Sequence, residues 1–337
     1  MKVLIIKMSS LGDVIHCLPA VRDLFEHDPS IILDWVVEEG FADLPRMHPG
    51  VRRVLPIAIR RWRKSWLGHR REIMEFRQIL QVERYDLVID AQGLIKSAAV
   101  GRMAKGKLVG FDRTSVKEPI ASMVYQQGYC VSRDLHAVQR LRGLFAQAIG
   151  YQISEDYHYG IERQDSTSSK DIYFFHGTTW ASKHWPEDYW VALARICQDQ
   201  GYAVVLPHLG GEERARAEKI AAAIDNARLL PPGTLSELSS DLASAAGAVS
   251  VDTGLGHLAA ALDIPLVGIY GSTSHHLTGI VGPRQVSISD TSLDCAPCLK
   301  RTCQYPSESG TIFPPCFEFV TPSRVFQKLS QQMMVGQ

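Results

Sequence analysis

Short apolar runs alternate along the first half of the chain with stretches in which apolar residues recur at helical spacing. The predicted elements are strands over residues 3–6, 33–37 and 86–89 and helices over 19–25 and 71–82. Strands that alternate with helices in this order are typical of βαβ units and a parallel sheet. The pattern therefore predicts an α/β fold for this half.

The same alternation restarts after residue 170. The predicted elements there are strands over 172–175, 203–206, 248–251 and 265–270 and helices over 186–198, 212–224 and 322–333. Between the halves, residues 162–170 are polar, small and aperiodic, as is typical of a linker. The chain has 337 residues, which is longer than a single hydrophobic core usually supports. It is therefore predicted to form domains over 1–165 and 166–320, followed by a terminal helix over 321–337.

Two polar turns follow apolar runs directly, one in each half. Residues 9–13 follow the strand at 3–6, and residues 251–257 follow the run at 248–250. In open α/β sheets, ligands bind outside the carboxyl ends of the strands. Asp13, beside Ser9, Ser10 and Gly12, is therefore a candidate general base. The alternative is that Asp13 caps the following helix, since Asp is favoured at an N-cap.

Residues 176–186 predict a phosphate site after the first strand of the second half. Two hydroxyls, on Thr178 and Thr179, and the ammonium of Lys183 stand there before a helix start, and such a turn suits an anion. The alternative is a loop with a solvated lysine. Residues 252–257 repeat the pattern. The Gly-x-Gly-x-x-Ala match at residues 254–259 also permits a nicotinamide-dependent oxidoreductase, but that fingerprint belongs after the first strand of a domain.

The charge is balanced overall but not locally. Lys plus Arg and Asp plus Glu each number 36, so net charge gives no indication of a nucleic-acid partner. Residues 51–71, however, carry eight basic side chains and no acidic one, with tryptophans at 62 and 66. Arginines favour carboxylates and phosphates, so this segment predicts a polyanionic acceptor or an acidic membrane face. The alternative is a solvated surface helix.

No targeting or membrane-spanning segment is expected, because the first apolar run is about four residues long and no run approaches the ~20 residues that span a bilayer. A cytoplasmic protein is therefore expected. Three cysteines in apolar settings are predicted to be core thiols: Cys17, Cys130 and Cys197. Four more follow late in the chain: Cys295, Cys298, Cys303 and Cys316. Their spacing resembles a zinc site, but free thiols are the favoured interpretation.

Several motifs together carry a family resemblance. They are KMSSLGDVIH (7–16), DWVVEEGF (34–41), IRRWRK (59–64), IDAQGLIKS (89–97), TTWASKHWP (178–186) and VDTGLGH (251–257). With them the chain resembles the lipopolysaccharide heptosyltransferases of glycosyltransferase family 9 over nearly its whole length. Two of these motifs, Arg-Arg-Trp-Arg-Lys at 60–64 and Asp-Ala-Gln-Gly at 90–93, favour the type I enzymes. A type II-like enzyme with another core-sugar acceptor is the alternative.

The resemblance implies a GT-B architecture, with two Rossmann-like domains facing a central cleft and the terminal helix packed back on the first domain. It implies an inverting transfer of L-glycero-D-manno-heptose from ADP-heptose to the first Kdo of Kdo-lipid A, without metal or cofactor. The implied location is the cytoplasmic face of the inner membrane, with its anionic surface as a partner and no nucleic acid.

The resemblance also implies roles for individual residues. The implied catalytic residues are Asp13, as general base, and Lys183, which stabilises the departing diphosphate. The implied donor-binding residues are Thr178, Thr179, Lys183, Glu213, Asp252, Thr253, Gly254 and His257. The implied acceptor-binding residues are Ser10, Gly12, Arg60, Arg61, Arg63, Lys64, Gln92, Lys96, Lys117, His136 and Arg140.

Overall fold

The structure is a computed structural model that describes residues 1–156, 158–161, 163, 169–290, 292–307 and 311–335. The chain divides into two compact units, Met1–Glu162 and Arg163–Gln337. The predicted boundary at 165/166 and most of the predicted linker at 162–170 lie outside the described residues. The two units are described separately below.

The first unit has a six-stranded parallel sheet in its described residues. Its strands are β1 (Lys2–Ile6), β2 (Ile32–Glu38), β3 (Val51–Ile57), β4 (Arg84–Asp90), β5 (Lys105–Phe111) and β6 (Gln127–Tyr129). Its helices are α1 (Leu11–Ile15), α2 (Leu18–His27), α3 (Asp43–Arg46), α4 (Ile59–Trp62), α5 (Arg70–Val82), α6 (Ile95–Met103) and α7 (Ala137–Ile149), with 3₁₀ turns over Glu39–Phe41 and Pro119–Val124. The strand order β3-β2-β1-β4-β5-β6 is the Rossmann order, which reverses between β1 and β4.

The second unit repeats this topology in its described residues. Its strands are β7 (Asp171–Phe175), β8 (Ala203–Pro207), β9 (Ala227–Leu230), β10 (Gly247–Val251), β11 (Leu266–Tyr270) and β12 (Gln285–Ser289). Its helices are α8 (Glu187–Asp199), α9 (Gly211–Ala221), α10 (Leu235–Leu242), α11 (Gly254–Ala261), α12 (His275–Thr278) and α13 (Pro322–Met334), with 3₁₀ turns over Ala181–Lys183 and Pro315–Phe317. The order β12-β11-β10-β7-β8-β9 is again the Rossmann order, and it reverses between β7 and β10.

Central strands read as continuous apolar runs because both faces of each sheet are covered. Leu4 and Ile6 of β1 form a cluster with Phe76 and Leu80 of α5. Ile5, whose side chain points to the opposite face, is equally inaccessible to solvent. The predicted α/β class is confirmed, and the apolar runs that predicted strands are the buried centres of the two sheets.

The predicted elements correspond to β1, β2, β4, β7, β8, β10, β11, α2, α5, α8, α9 and α13. The end of α9 is wrong by three residues, because the chain after Ala221 tightens into turns in which Ile224 N–H donates to the Ala221 carbonyl. The edge strand β3 was missed because Arg52 and Arg53 interrupt its apolar pattern. Both arginines bond the buried Asp34 carboxylate on β2.

Helix α13 belongs to the second unit. Thr321 Oγ1 accepts from Arg324 N–H at its start, and Pro322 occupies the first turn. Val325 and Leu329 lie in the core cluster of this unit, so the apolar face of α13 is buried there. The resemblance implied packing on the first domain, which stays a prediction. Among the described residues, no helix has both the length and the apolar character needed to cross a bilayer.

Candidate functional site

The predicted acceptor residues all follow strands of the first sheet at their carboxyl ends. The segment after β1 holds Ser10 and Gly12, and the segment after β3 holds Arg60, Arg61, Arg63 and Lys64. Gln92 and Lys96 follow β4, Lys117 follows β5, and His136 and Arg140 follow β6. Parallel strands end at one edge of a sheet. The topology therefore brings residues that are up to 130 positions apart in the sequence to the same edge of the sheet.

Asp13 lies in the first turn of α1, where the strand order of the first sheet reverses. Ser10 is the N-cap, and its N–H and Oγ donate to Asp13 Oδ2 at 2.9 and 2.8 Å. Lys7 Nζ lies 3.8 Å from Asp13 Oδ1, and the Asp13 side chain is 49% exposed. Asp13 is therefore not the N-cap itself, but its carboxylate completes a capping box by accepting from the Ser10 N–H. The side chain remains half-exposed and within reach of a ligand, so its role as general base stays a prediction.

The charge of Asp13 is stabilised by its neighbours. Partial desolvation by the surrounding atoms raises the pKa, but the Lys7 ammonium and the Ser10 N–H outweigh it and lower the pKa to about 2. Asp13 is thus an ionised carboxylate at neutral pH. A base of such low pKa is effective only when the proton is handed over while the new bond forms.

Gln92 holds the Asp13 loop from the neighbouring strand end. Its Oε1 accepts from Met8 N–H at 2.7 Å, and its Nε2 donates to the Ser9 carbonyl at 2.5 Å. Behind it, the buried Asp90 carboxylate accepts from Tyr125 Oη at 2.7 Å, and burial raises the pKa of Asp90. The Gln92 amide thus fixes the loop that carries Asp13, and its predicted contact with the acceptor stays a prediction.

The basic stretch is less uniformly cationic than its sequence indicates. Arg61 forms ion pairs with Glu39 at 3.2 Å and Glu72 at 2.8 Å. The Arg60 guanidinium lies 5.1 Å from the centre of the Phe41 ring. Within the described residues, Arg63 and Lys64 form no ion pair. The absence of acids between residues 51 and 71 is thus offset by carboxylates from other segments, and the cations left for an acceptor are chiefly Arg60, Arg63 and Lys64.

The remaining acceptor candidates differ in how accessible they are. Lys117 is exposed and Lys96 is partly exposed. His136 is buried as the N-cap of α7, where its Nδ1 accepts from Val138 N–H. Arg140 donates to the Ser115 carbonyl at 2.6 Å and lies over the Phe111 ring. His136 and Arg140 therefore have structural contacts beside any acceptor role, and that role stays a prediction.

Lys183 is the central cation of the second unit. Its Nζ lies 2.7 Å from Asp252 Oδ2, and the two side chains are only 16% and 10% exposed. Thr273 Oγ1 donates to the same Asp252 oxygen at 2.7 Å. Lys183 comes from the turn after β7 and Asp252 from the turn after β10, so the fold joins the two predicted phosphate turns where the strand order reverses.

Hydroxyls and helix amides complete this group. Thr178 Oγ1 donates to the Asp252 carbonyl at 3.2 Å, and Thr179 is exposed beside it. Thr253 is the N-cap of α11 and Gly254 its first residue, so the partial positive charge of this helix end faces the same turn. The arrangement suits an anion with several oxygens, such as a diphosphate.

Glu213 and His257 flank the group. Glu213 Oε2 accepts from Leu209 N–H at 2.9 Å. Its other oxygen lies so close to Gly177 that a Cβ there would be 1.7 Å away, so a larger residue at position 177 would displace the Glu213 carboxylate. His257 is buried within α11. Both were predicted to bind the donor, and that role stays a prediction.

A buried histidine lies directly after β7. His176 is inaccessible to solvent, and neither ring nitrogen has a hydrogen-bond partner among the residues that the structure describes. Burial, together with Arg216, His184 and His208 nearby, lowers the pKa of His176 to about 3. The imidazole is therefore neutral at physiological pH, and it serves as uncharged packing beneath the turn that holds Thr178.

The cysteines are free thiols in the described residues. Cys17 and Cys197 are buried as predicted, but Cys130 is exposed. The prediction for Cys130 is wrong because the residue directly follows the edge strand β6, which has a neighbour on one side only. Cys295, Cys298, Cys303 and Cys316 line one cavity of about 20 Å³. No group of three or more His, Cys, Asp or Glu in the described ranges is placed to hold a metal ion.

Sequence reasoning missed three residues of these groups: Lys7, Trp180 and Thr273. Lys7 lowers the pKa of Asp13, Thr273 holds Asp252, and the Trp180 ring lies 4.5 Å from Lys183 Nζ. Thr273 was signalled by the small polar turn 271–274 after an apolar strand, which resembles the two turns that were identified. Lys7 and Trp180 acquire their contacts through the fold.

Comparison with known proteins assigns the chain to a family. A model described as glycosyltransferase family 9 (heptosyltransferase) matches residues 73–308. The chain is also 46% identical to lipopolysaccharide heptosyltransferase 1 of Pseudomonas aeruginosa, with 99% of this chain and 98% of that relative covered. The chain belongs to glycosyltransferase family 9. It is therefore a glycosyltransferase of the heptosyltransferase family, and the nicotinamide-dependent oxidoreductase is excluded.

Two further comparisons place this family 9 heptosyltransferase more closely. It is 28% identical to lipopolysaccharide heptosyltransferase 2 of Escherichia coli K12, over 82% of this chain and 85% of that relative. The solved structure of E. coli heptosyltransferase WaaC with ADP matches it with a TM-score of 0.86 and 39% identity, covering 98% of this chain and all of that one. The match confirms the GT-B class with two Rossmann-like units.

Proposed function

We propose that this heptosyltransferase transfers L-glycero-D-manno-heptose from ADP-heptose to the first Kdo residue of Kdo-lipid A, with inversion at the anomeric carbon. Similarity to a type 1 lipopolysaccharide heptosyltransferase over nearly the whole chain supports this reaction. The much lower identity to a type 2 relative argues against the type II alternative. WaaC, the structural relative, has been solved with ADP-2-deoxy-2-fluoro heptose, which supports ADP-heptose as donor.

In the proposed reaction Asp13 is the general base. Its carboxylate takes the proton of a Kdo hydroxyl while the hydroxyl oxygen bonds to the anomeric carbon of heptose. The bond from that carbon to the phosphate oxygen breaks on the opposite face, and ADP leaves with the electron pair. The observation that carries this proposal is the placement of Asp13, half-exposed and ionised, at the reversal point of the first sheet.

The second unit stabilises the leaving group in this proposal. Lys183 supplies a full positive charge, while Thr178, Thr179, Thr253 and the first amides of α11 supply hydrogen bonds. Such fixed donors stabilise developing negative charge by several kcal/mol. Asp252 holds the Lys183 ammonium at 2.7 Å, so the cation is in position before the donor arrives and little reorganisation is needed.

Mass spectrometry tests the proposed reaction. De-acylated Kdo-lipid A is incubated with the protein and ADP-heptose without added metal, and the expected product is heavier by one heptose. If the donor were hydrolysed while the acceptor stayed unmodified, the assignment of the nucleotide-sugar site would stand and the assignment of Kdo-lipid A as acceptor would be wrong. If both compounds remained unchanged, the proposed reaction would be wrong.

We further propose that residues 60–71 of the first unit rest on an anionic membrane surface. Trp66 and Leu67 are 55% and 86% exposed, and exposed cations lie on both sides, at Lys64 and Arg70. Exposed aromatic and aliphatic side chains enter the headgroup region, and nearby cations are attracted to anionic lipids. This arrangement would bring the enzyme to an acceptor that is itself anchored in the membrane.

Vesicle co-sedimentation tests the membrane contact. The double variant Trp66→Ser/Leu67→Ser is expected to bind phosphatidylglycerol vesicles at least about ten-fold more weakly, because each side chain loses apolar contact with the bilayer. Activity on the soluble, de-acylated acceptor should persist. Leu209→Ser, which removes an equally exposed leucine from the second unit, is the matched control. Equal vesicle binding by the double variant and the control would contradict the proposal.

A further inference from the structure

The segment of residues 299–303 lies against the turn that carries Lys183. Ser182 N–H donates to the Arg301 carbonyl at 3.1 Å, and Ser182 Oγ donates to the Lys300 carbonyl at 2.5 Å. Leu299 N–H donates to the Ser272 carbonyl at 2.8 Å, next to Thr273. This segment, for which the resemblance implied no role, is therefore fixed to both turns that flank the Lys183–Asp252 pair.

Arg301 extends from this segment toward the same aromatic ring as Lys183. Its guanidinium carbon lies 5.7 Å from the centre of the Trp180 ring, and Lys183 Nζ lies 4.5 Å from it. A cation over an indole ring is held by attraction to the ring electrons. Trp180 thus keeps two cationic side chains beside one turn, and both are attached to backbone that the Ser182 hydrogen bonds hold in place.

The two cations differ in how their charge is compensated. Lys183 is paired with Asp252, whereas the Arg301 side chain forms no ion pair with any described residue and is exposed to solvent. A guanidinium presents a planar fork of N–H groups that matches two oxygens of a phosphate. The position beside Lys183 therefore leaves one uncompensated, phosphate-matching cation at the edge of the turn.

We propose that Arg301 is a second cation for the diphosphate of the nucleotide-sugar donor, acting together with Lys183. The proposal rests on the proposed function, since it assigns a further contact within that donor site. Arg301 then binds oxygens of the diphosphate in the ground state and neutralises part of the charge that ADP carries when it leaves. Its function depends on residues 299–303 remaining tied to Ser182 and Ser272.

Calorimetric titration with ADP tests this assignment. Arg301→Gln is expected to weaken ADP binding by about ten-fold or more at low salt, because a charge-assisted pair with phosphate is lost. The loss should shrink at high salt, where ions screen exposed charges. Arg301→Lys should restore part of the affinity, since the charge returns without the planar fork. A purely structural role of Arg301 would give a loss of affinity that does not depend on salt.

Lys300→Gln is the matched control, because Lys300 lies on the same segment but its side chain bonds Gln304. It should bind ADP as the wild type does. Wild-type ADP affinity in Arg301→Gln, or a salt-independent loss, would overturn the inference and leave the proposed function intact. Absence of ADP binding by the wild-type protein would overturn the proposed function and the inference with it.

Discussion

The two units have the same strand order but different chemistry at the point where that order reverses. In the first sheet this point carries a half-exposed carboxylate, Asp13, held by Ser10 and Lys7. In the second it carries a largely buried ion pair between Lys183 and Asp252. Topology thus puts a turn at the same place in both sheets, and the turn sequences decide whether it presents a carboxylate or an ion-paired cation.

The units also differ in the titratable group buried behind these turns. Asp90 of the first unit accepts hydrogen bonds from Tyr125, Ser97 and backbone N–H groups. Within the described part of the second unit, His176 has no hydrogen-bond partner at either ring nitrogen. Burial raises the pKa of Asp90 and lowers that of His176. Burial thus favours the uncharged form in both units, with opposite consequences for an acid and a base.

The largest effect is expected from removing the carboxylate of the first unit. Asp13→Asn keeps the shape of the side chain but removes the base, so kcat should fall by about 10²- to 10⁴-fold. ADP affinity, which the second unit provides in our proposal, should change little. Steady-state kinetics and ADP titration measure the two quantities. Asp134→Asn is the control, and substantial activity in Asp13→Asn would show that another group takes the proton.

Removing the cation of the second unit should affect both binding and turnover. Lys183→Gln is expected to lower kcat by about 10²-fold, because the departing ADP loses its main stabilising charge. ADP affinity should fall by about ten-fold as a charge-assisted contact is lost. Lys170→Gln, an exposed lysine of the same unit, should change neither quantity. A variant with weakened ADP binding but unchanged kcat would limit Lys183 to a binding role.

The smallest effect concerns stability in acid. The unfolded chain titrates His176 near 6.5, whereas burial holds its pKa at about 3 in the fold. Above pH 6.5 the ring is neutral in both states, and this group does not lower the free energy of unfolding. As pH falls toward 3 the free energy of unfolding decreases, because the unfolded state takes up the proton first. Between pH 6.5 and 5 the loss is about 2 kcal/mol from this group.

Urea unfolding at pH 7 and pH 5 measures this dependence. His176→Leu removes the titrating ring from its buried place, so the free energy of unfolding should depend less steeply on pH than in the wild type. His158→Leu changes an exposed histidine and should leave the slope as it was. The same slope in His176→Leu and in the wild type would contradict a neutral, buried His176.

Local sequence patterns predicted the elements that lie at the centres of the sheets. The runs at β1, β7 and β10 are continuous and apolar because these strands are covered on both faces. The edge strand β3 could not be found in this way, because Arg52 and Arg53 break its pattern and become intelligible only through their contact with Asp34. Exposure of Cys130 was likewise missed, since nothing in its apolar neighbours indicates a sheet edge.

Candidate site residues could be predicted where they lie in a turn directly after an apolar strand. Asp13, Thr178, Thr179 and Lys183 each follow an apolar strand, a position that the sequence displays directly. Contacts between separate segments of the chain were not predictable in the same way. Thr273 meets Asp252 across 21 positions, and Glu72 pairs with Arg61 after the chain has turned into α5. Such contacts arise from packing, which local spacing does not encode.

The sequence by itself determined two α/β halves, the turns that bear chemistry and the family to which they belong. The tertiary structure alone decided which turns lie side by side, because the order of strands in a sheet is set by long-range pairing. It placed Lys183 beside Asp252, tied Gln92 to the Asp13 loop, and neutralised Arg61 with distant carboxylates. It also set Arg301 and Lys183 on one Trp180 ring. A linear pattern records what each segment can form, whereas charge and reactivity depend on neighbours that only folding brings together.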